Sequence, residues 1–491
     1  MRKLLITLII ALIAQTAFGE KVQRDRAMQV AQNFWKQETG STPQLTDLSA
    51  TVGLRELYLF DVDGGKGYIV VSSDDIAMPI LAYSRESGFP TSNIAPAVME
   101  MLRSYEAEIA FGRSFGEGPA AEVTKEWQDL ENDIKPAHTD RKAAVAQMMT
   151  SKWNQSAPYN NMCPAANGEH CVTGCVATAI SQVMRYWRYP EHGVGQHSYS
   201  YNDRPIAVTH MLGDSNAVWL YDTLTVDFEN TYYDWDNMPD VATTSSPEVE
   251  QNAVAQLCYH CGVALEMVYT PEGSGSFMTV AEILAFDSVH YPTSIAAELI
   301  IPRFFGYSPA AEGRMRWDYT TSQWVSMIKN ELNNGRPLVF AGNAEGSDYG
   351  HAFVLDGYNT RSFFHCNFGW GGQYDGNFRI DEIAPAGNMA FVAKQSGIFL
   401  MFPPGQGGDD EPDPVAIEQA NEWENNIVVY SRDKNIRIEG GAVNEGEVYD
   451  LMGRRVATFD GHGEVTTTVR MEKGGIYLVR IGNKAHKVMV R

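Results

Sequence analysis

The amino-acid sequence predicts an α+β protein in which a helical lobe and an antiparallel-sheet lobe occupy the middle of the chain. An α+β unit precedes these lobes, and a small all-β sandwich-like domain follows them. Three observations predict this arrangement. Residues 173–190 have the apolar spacing of a buried helix, residues 337–402 form a succession of strand-like runs, and residues 423–491 alternate strand-like runs with turn residues. With 491 residues, 44% of them apolar, the chain is long enough for several domains.

The first residues have the pattern of an export signal. Met1-Arg2-Lys3 is charged, residues 4–14 are apolar, and Ala17-Phe18-Gly19 has the small-x-small form of a cleavage site. We therefore expect a signal peptide over residues 1–19, cut before Glu20. A membrane span needs about 20 apolar residues, and no such run occurs in the sequence. We expect a protein that is secreted or held at the outer cell surface.

Residues 20–142 read as a separate α+β unit. An amphipathic helix is predicted over residues 25–37, and residues 55–61 and 66–72 are alternating runs joined by Asp63-Gly64-Gly65, which predicts a hairpin. A second helix is predicted from Pro96 to about Ala110, with the proline in the first turn.

The helix that begins near Cys175 carries the candidate nucleophile. Val176, Ile180 and Val183 recur at three- and four-residue steps, and Thr173 can serve as the N-cap. Cys175 then lies in the first turn, where the helix dipole favours a thiolate over a thiol.

Three further residues complete a candidate site for acyl transfer. The Gln155 amide and the Cys175 N–H could stabilise an oxyanion, and His351, at the start of a strand-like run, could be the base. A hairpin centred near Asn359 would place Asn367 directly opposite His351. That is the Cys-His-Asn arrangement of papain-like enzymes.

The motifs resemble the streptopain family of cysteine peptidases, which includes interpain-type enzymes. The resemblance rests on these runs: Asn154-Gln155, Pro158-Tyr159-Asn160, Thr173-Gly174-Cys175-Val176-Ala177-Thr178-Ala179 with Gln182 and Met184, Gly350-His351-Ala352-Phe353-Val354, Asp356-Gly357, and Asn367 with Gly369-Trp370-Gly371-Gly372. It implies a papain-like two-lobed catalytic domain over residues 143–403. It also implies Cys175 as nucleophile, His351 as base, Gln155 at the oxyanion and Asn367 behind the histidine.

The same resemblance implies how the enzyme is controlled and where substrate binds. Residues 20–142 would be an inhibitory propeptide. From the residues themselves we expect activation by cleavage at Arg141-Lys142, the one dibasic pair in the polar connection, and cleavage elsewhere in residues 136–150 is the alternative. The residues expected to contact substrate are Ser274, Ser276, Gly350 and Trp370. Protein or peptide substrates and the propeptide are the expected partners.

The C-terminal part follows a linker rich in Pro, Gly and acidic residues over residues 404–422. Residues 423–491 resemble the C-terminal sorting domain of the type IX secretion system, through Tyr449-Asp450-x-x-Gly453-Arg454 and Gly475-x-Tyr477-x-x-x-Ile481. That resemblance implies the secretion machinery as a partner. A β-sandwich that binds carbohydrate or matrix is the alternative.

Charge and cysteine spacing argue against other classes of function. The net charge of −23 opposes binding to nucleic acid. Cys258-Tyr259-His260-Cys261 has zinc-like spacing, and Cys163, Cys171 and His170 could join it, but a second Cys-x2-Cys pair is missing. We interpret Cys258 and Cys261 as core residues and expect neither a metal nor another cofactor.

Two alternatives remain open for the function. A transglutaminase or amidase would use the same Cys-His chemistry on another acyl donor. An inactive homologue acting as a binding protein or inhibitor would require a broken site, whereas all four candidate residues are present.

Overall fold

The computed structural model describes residues 19–114, 118–135, 144–166, 168–200, 223–286, 293–343, 350–381 and 395–407, together with the C-terminal segments 428–432, 435–439, 445–450, 455–460, 466–471, 475–481 and 484–490. The chain divides into two compact units, Met1–Glu411 and Pro412–Arg491. Within the first unit we call residues 19–135 the N-terminal region and residues 144–407 the central region. The predicted signal peptide, apart from Gly19, and the pair Arg141-Lys142 lie outside the described residues.

The described α-helices are α1 (Arg24–Thr39), α2 (Ser49–Val52), α3 (Pro96–Ser114), α4 (Ala121–Glu131), α5 (Cys175–Trp187), α6 (Glu248–Ala264), α7 (Val280–Phe286), α8 (Ala297–Phe305) and α9 (Thr321–Asn333). The strands of the first unit are β1 (Leu45–Asp47), β2 (Leu57–Val62), β3 (Gly67–Ser72), β4 (Ile80–Ser84), β5 (Ala165–Ala166), β6 (Glu169–His170), β7 (Gln196–Tyr199), β8 (Leu224–Asp227), β9 (Glu312–Met315), β10 (Leu338–Asn343), β11 (Gly350–Tyr358), β12 (Phe364–Asn367), β13 (Gly376–Phe378) and β14 (Ser396–Phe399). The strands of the second unit are β15 (Val428–Arg432), β16 (Asn435–Glu439), β17 (Glu445–Asp450), β18 (Arg455–Asp460), β19 (Thr466–Arg470), β20 (Gly475–Ile481) and β21 (Lys484–Val490).

The predicted elements of the N-terminal region are confirmed. Helix α1 buries Ala27, Val30, Ala31 and Phe34, which are the residues on its apolar face. Strands β2 and β3 form the predicted antiparallel hairpin, and α3 starts at Pro96.

One antiparallel sheet runs through both regions of the first unit. Its ten strands follow the order β1-β2-β3-β4-β13-β12-β11-β10-β14-β9. The regions join where β4 pairs with β13, through Tyr83 with Asn377 and Ala82 with Phe378. The N-terminal region therefore extends the sheet of the central region instead of forming a separate layer.

Helices cover both faces of this sheet. On one face, α3 of the N-terminal region and α9 of the central region share an apolar cluster with strands from both regions. On the opposite face of β2, β3 and β4, helices α1 and α4 pack in a second cluster. The two regions thus share a hydrophobic core as well as a sheet.

The helical lobe of the central region packs around α5 and α6. Val176, Ile180 and Val183 are buried on α5, and Cys258 and Cys261 on α6 are fully buried in the same apolar cluster. This confirms that the α6 cysteines are core residues. All six cysteines of the chain are free thiols.

The predicted register of the β11–β12 hairpin is wrong. Asn367 pairs with Val354, whereas His351 faces Gly342 on β10. Tyr358 pairs with Phe364, so the turn is centred on residue 361 and not on residue 359. The physical reason lies in the turn, because the Asn359 side chain accepts hydrogen bonds from the backbone N–H groups of residues 361 and 363 and so starts a longer loop. A bulge at Asp356 shifts the register once more.

The second unit is all β, as predicted. Strands β15-β16-β19 form one antiparallel sheet, and β18-β17-β20-β21 form another. Ile436 and Ile438 from the first sheet and Val448 and Val479 from the second belong to one apolar cluster, which makes the unit sandwich-like.

Candidate active site

Cys175 is the first residue of α5. The N-cap is Gly174, whose φ of 87° is costly for a side-chain-bearing residue. The prediction that Thr173 caps this helix is wrong, because its hydroxyl hydrogen-bonds to the Thr178 hydroxyl at 2.7 Å. The nucleophile candidate nevertheless lies in the first turn, as predicted.

The environment of the Cys175 thiol differs from the expectation of a lowered pKa. Burial raises the pKa of Cys175, and the Glu282 carboxylate raises it further. The backbone N–H groups of Ala352, Val176 and Cys175 itself oppose this shift. The thiol is therefore favoured in this form, since the loss of solvent outweighs the backbone donors at the helix start.

Gln155 lies next to the loop that precedes the nucleophile. The Thr173 N–H donates to the Gln155 carbonyl at 3.0 Å, and the Gln155 N–H donates to the Asn154 side chain at 2.7 Å. The structure thus brings Gln155 and Cys175 into one corner of the central region, between α5 and the segment that follows Trp153.

His351 is the residue before Ala352, whose backbone N–H bonds to the Cys175 sulfur. The His351 Nε2 donates to the Phe368 carbonyl at 2.8 Å. The ring stacks on Trp370 with 3.9 Å between centroids and 15° between planes. Burial lowers the pKa of His351 to about 4, against the effect of the bond to Phe368. The imidazole is neutral at pH 7.

Helix α3 of the N-terminal region reaches the His351 ring. A small cavity beside the ring is lined by Gly342, His351, Phe353, Phe368 and Trp370 of the central region and by Ala97, Glu100 and Met101 of α3. The base candidate is therefore covered by a helix that belongs to the predicted propeptide.

Asn367 is buried and does not meet His351 in this form. Its Nδ2 donates to the Ser151 carbonyl at 2.7 Å, and its Oδ1 accepts from Gln182 Nε2 at 3.0 Å and from the Gly369 N–H at 3.2 Å. The structure, which describes both residues, shows no hydrogen bond between Asn367 and His351. The strand register places Val354, not His351, opposite Asn367.

The candidate substrate residues are placed around the nucleophile and the base. Ser274 donates its hydroxyl to the Val172 carbonyl at 2.6 Å, and its own carbonyl lies 3.0 Å from where a Cβ on Gly174 would be. Ser276 donates to the Leu265 carbonyl at 2.8 Å. Both hydroxyl protons are thus donated to backbone carbonyls.

The other two candidates lie on the side of the base. Gly350 is the exposed first residue of β11, next to His351. Trp370 is partly buried and covers the imidazole.

Two residues near the site were not assigned a role from the sequence. Gln182 is fully buried and links the Asn367 amide to Ser151 and Trp153. The sequence could have indicated Gln182, because a polar residue seven positions after Cys175 lies on the same face of the helix. Glu282 influences the thiol from α7, and no sequence pattern connects the two.

Metal-binding clusters and membrane-spanning helices are both absent from the part of the chain that the structure describes. No group of three or more His, Cys, Asp or Glu side chains there could hold a metal ion. Among the same residues, no helix combines the length and the apolar character that a bilayer span requires.

Comparison with protein-family models gives two matches. Residues 153–378 match the Peptidase C10 family, and residues 19–109 match the Spi protease inhibitor model. The first match contains all four candidate catalytic residues. The second match lies wholly within the N-terminal region and does not extend to its last residues, 110–135.

Individual relatives agree with these matches. The chain is 32% identical to a solved fragment of Prevotella intermedia prointerpain A, covering 74% of this chain and 99% of that one, with a TM-score of 0.57. It is 30% identical over 389 residues to the thiol protease/hemagglutinin PrtT of Porphyromonas gingivalis, covering 77% of this chain but only 40% of that protein. It is 27% identical over 343 residues to streptopain of Streptococcus pyogenes serotype M1, covering 67% of this chain and 75% of streptopain. The chain therefore belongs to the Peptidase C10 family of cysteine peptidases.

Proposed function

We propose that this chain is a secreted cysteine endopeptidase made as a latent zymogen. The observation that carries the proposal is the placement of Cys175 at the first residue of α5, with backbone N–H groups around its sulfur and the strand of His351 beside it. This is an arrangement suited to acyl transfer by a thiolate.

Catalysis would start when His351 takes the Cys175 proton. The thiolate then attacks the scissile carbonyl, and the Gln155 amide with the Cys175 N–H stabilises the oxyanion. His351 next protonates the leaving amine, and water hydrolyses the thioester. In the latent form His351 Nε2 donates to the Phe368 carbonyl, so Nδ1 is the ring nitrogen that would take the proton.

Latency follows from the N-terminal region. Its helix α3 lines the cavity beside the His351 ring. Release of this region would open the His351 side of the site to solvent and substrate. The match to an inhibitor model supports the same role for this region.

The test compares casein degradation by matured protein carrying Cys175→Ala with that by matured protein carrying Cys258→Ala, whose lost thiol is buried in the α6 core. We expect no turnover from folded Cys175→Ala and retained, alkylator-sensitive turnover from the control. Proteolysis by folded Cys175→Ala would refute the proposal, and amine incorporation without hydrolysis would favour a transglutaminase.

We assign the substrate cleft to the loop of Ser274 and Ser276 on one side and to Gly350 and Trp370 on the other. The closeness of the Ser274 carbonyl to Gly174 supports this assignment. If main-chain groups of the loop bind the peptide, Ser274→Pro or Ser276→Pro should raise KM with little change in kcat. Unchanged kinetics in both variants would remove the loop from the cleft.

Activation is assigned to cleavage after Arg141-Lys142. The supporting observation is the sequence, in which this dibasic pair lies in a polar connection between the two regions. N-terminal sequencing of the active form should give a start near Ala143. A start before Lys135 or after Thr150 would refute the assignment, as would normal maturation of the Arg141→Ala/Lys142→Ala variant.

The C-terminal unit is proposed to be a sorting domain for type IX secretion. Its own apolar core and its compactness as a unit by itself suit a removable module. Deleting residues 423–491 should leave the protein inside a host that has this export system, with peptidase activity intact in lysates. Export of the truncated chain at the normal level would refute the proposal.

A further inference from the structure

A set of charged side chains joins the N-terminal and central regions away from the nucleophile. Glu86 follows β4, and its Oε1 accepts from His365 Nε2 at 2.6 Å while its Oε2 accepts from Lys152 Nζ at 2.6 Å. We call Glu86, His365 and Lys152 the Glu86 clamp. Its two cations belong to the central region and its carboxylate to the N-terminal region.

The central region holds His365 in place from behind. His365 Nδ1 donates to Asp356 Oδ1 at 2.5 Å, and Asp356 also accepts from the Met149 N–H at 2.8 Å. Asp356 is the bulged residue of β11, so the bulge points its carboxylate at the imidazole. Asp356 is fully buried and His365 almost so. The ring is thereby fixed with an N–H directed at Glu86.

The pKa values agree with a charged clamp. Burial lowers the pKa of His365, but its bonds to Asp356 and Glu86 more than offset this and raise the pKa to about 10. The bond from His365, together with that from Lys152, lowers the pKa of Glu86 to about 2 against the effect of burial. His365 is therefore an imidazolium and Glu86 a carboxylate at neutral pH.

Two other ion pairs cross this boundary, Glu126 with Arg379 at 2.8 Å and Glu38 with Arg361 at 3.4 Å, whereas in the Glu86 clamp one carboxylate bonds two cations. The remaining contacts are less selective. The β4–β13 pairing uses backbone groups, and Ser84 donates its hydroxyl to the Asp375 carbonyl at 2.5 Å. Such bonds accept many sequences. The Glu86 clamp requires a carboxylate at one position, so it supplies specificity to the docking of the N-terminal region.

We propose that Lys152 and His365, backed by Asp356, form a carboxylate-binding site on the central region, and that Glu86 occupies it as an ionic latch of the latent form. The biological role of this latch rests on the proposed zymogen function. The binding of Glu86 to Lys152 and His365 does not, and it can be measured without any peptidase activity. Once the N-terminal region leaves, the two cations are available to the carboxylate of another acidic peptide.

The latch should weaken at both extremes of pH. Glu86 has a lowered pKa when bound, so its contribution is complete above pH 4.5 and is lost as pH falls through about 2. His365 has a raised pKa, so its contribution is lost as pH rises towards about 10. Asp356 remains bonded to His365 after the N-terminal region leaves, so the contribution of His365 to the latch begins to fall only above pH 6.5. Asp375, whose pKa burial raises to about 7, also faces His365. Lys152 is the second cation that faces Glu86.

The test uses the full chain with Cys175→Ala, so that no self-cleavage occurs, and with a recognition site for a sequence-specific protease inserted within residues 136–143. After cleavage and dilution, gel filtration and light scattering measure the dissociation constant of the N-terminal region. We expect Glu86→Gln to raise it by about 10- to 100-fold, the effect of losing bonds to charged groups. The control is Asp133→Asn, which removes a 2.5 Å ion pair with Lys36 inside the N-terminal region and should change it less than about twofold.

A second variant on the other side of the boundary keeps the test decisive. Lys152→Met should also weaken retention, and the double variant Glu86→Gln/Lys152→Met should lose less than the product of the single effects, because the groups share one interaction. Retention of Glu86→Gln equal to that of Asp133→Asn, or independent effects of the two clamp variants, would overturn the proposal. Neither result bears on catalysis, which the casein assay tests separately.

Discussion

Replacing Gln182 with methionine should lower the free energy of unfolding by about 3 kcal/mol. The Gln182 amide is fully buried; its Oε1 accepts from the Ser151 hydroxyl at 3.0 Å, the Trp153 N–H at 3.2 Å and Asn367 Nδ2 at 3.2 Å, and its Nε2 donates to Asn367 Oδ1 at 3.0 Å. Methionine has a similar volume but leaves the Ser151 hydroxyl and the Trp153 N–H without this acceptor, while Asn367 Nδ2 keeps the Ser151 carbonyl. Each buried group left unsatisfied costs about 1–3 kcal/mol. Asn367 Oδ1 keeps the Gly369 N–H, which limits the total.

The measurement is urea unfolding in the Cys175→Ala background, followed by tryptophan fluorescence. This signal reports on the first unit, since Trp153 and Trp324 lie in its cores. The control is Gln128→Met, at an exposed position of α4, which should change the free energy of unfolding by less than about 0.5 kcal/mol. A loss below about 1 kcal/mol for Gln182→Met would refute the reasoning, because it would mean that water or a rearranged neighbour satisfies the Trp153 N–H.

Three other substitutions test separate parts of the first unit. Thr320→Ala removes the capping box that Thr320 forms with Gln323 at the start of α9 and should cost about 1 kcal/mol in urea unfolding; an unchanged midpoint would contradict the cap. Gly174→Ala should destabilise the protein by more than about 2 kcal/mol, because φ is 87° and the new Cβ would lie 2.8 Å from the Met267 sulfur; a thermal midpoint like that of the parent would contradict this. Asn367→Ala in matured protein should lower kcat while leaving measurable turnover, and should also lower stability because its amide is buried and bonded; full activity would exclude Asn367 from the site.

The elements and the chemistry could be predicted from local patterns. The apolar spacing of α1 and α5, the turn residues of the β2–β3 hairpin and the position of Cys175 in the first turn of α5 are confirmed. Each of these depends on residues that lie within about one or two helical turns of each other or across one tight turn. Interactions at that range are set by the chain itself.

The turn after β11 shows where local reading fails. The sequence predicts a hairpin centred on Asn359, but the Asn359 side chain accepts hydrogen bonds from two backbone N–H groups and begins a loop centred on residue 361. A shift of this kind changes every cross-strand partner. It is the reason that Asn367 meets Gln182 and not His351.

The pKa values of Cys175 and His351 also depend on distant parts of the chain. The start of α5 predicts a thiolate at Cys175, yet burial raises the pKa, since desolvation depends on all the chain that packs around the sulfur. Burial likewise lowers the pKa of His351 to about 4, so its ring is neutral at pH 7.

By itself the sequence determined which residues could carry the chemistry and which segments would be helix, strand or linker, because these depend on residue type and short-range spacing. The tertiary structure alone decided that β4 of the N-terminal region continues the sheet at β13, that α3 covers His351, and that Glu86 meets Lys152 and His365. Glu86 and His365 are 279 residues apart in the chain. Contacts over such separations depend on sheet order and register, which arise only when the whole core packs together.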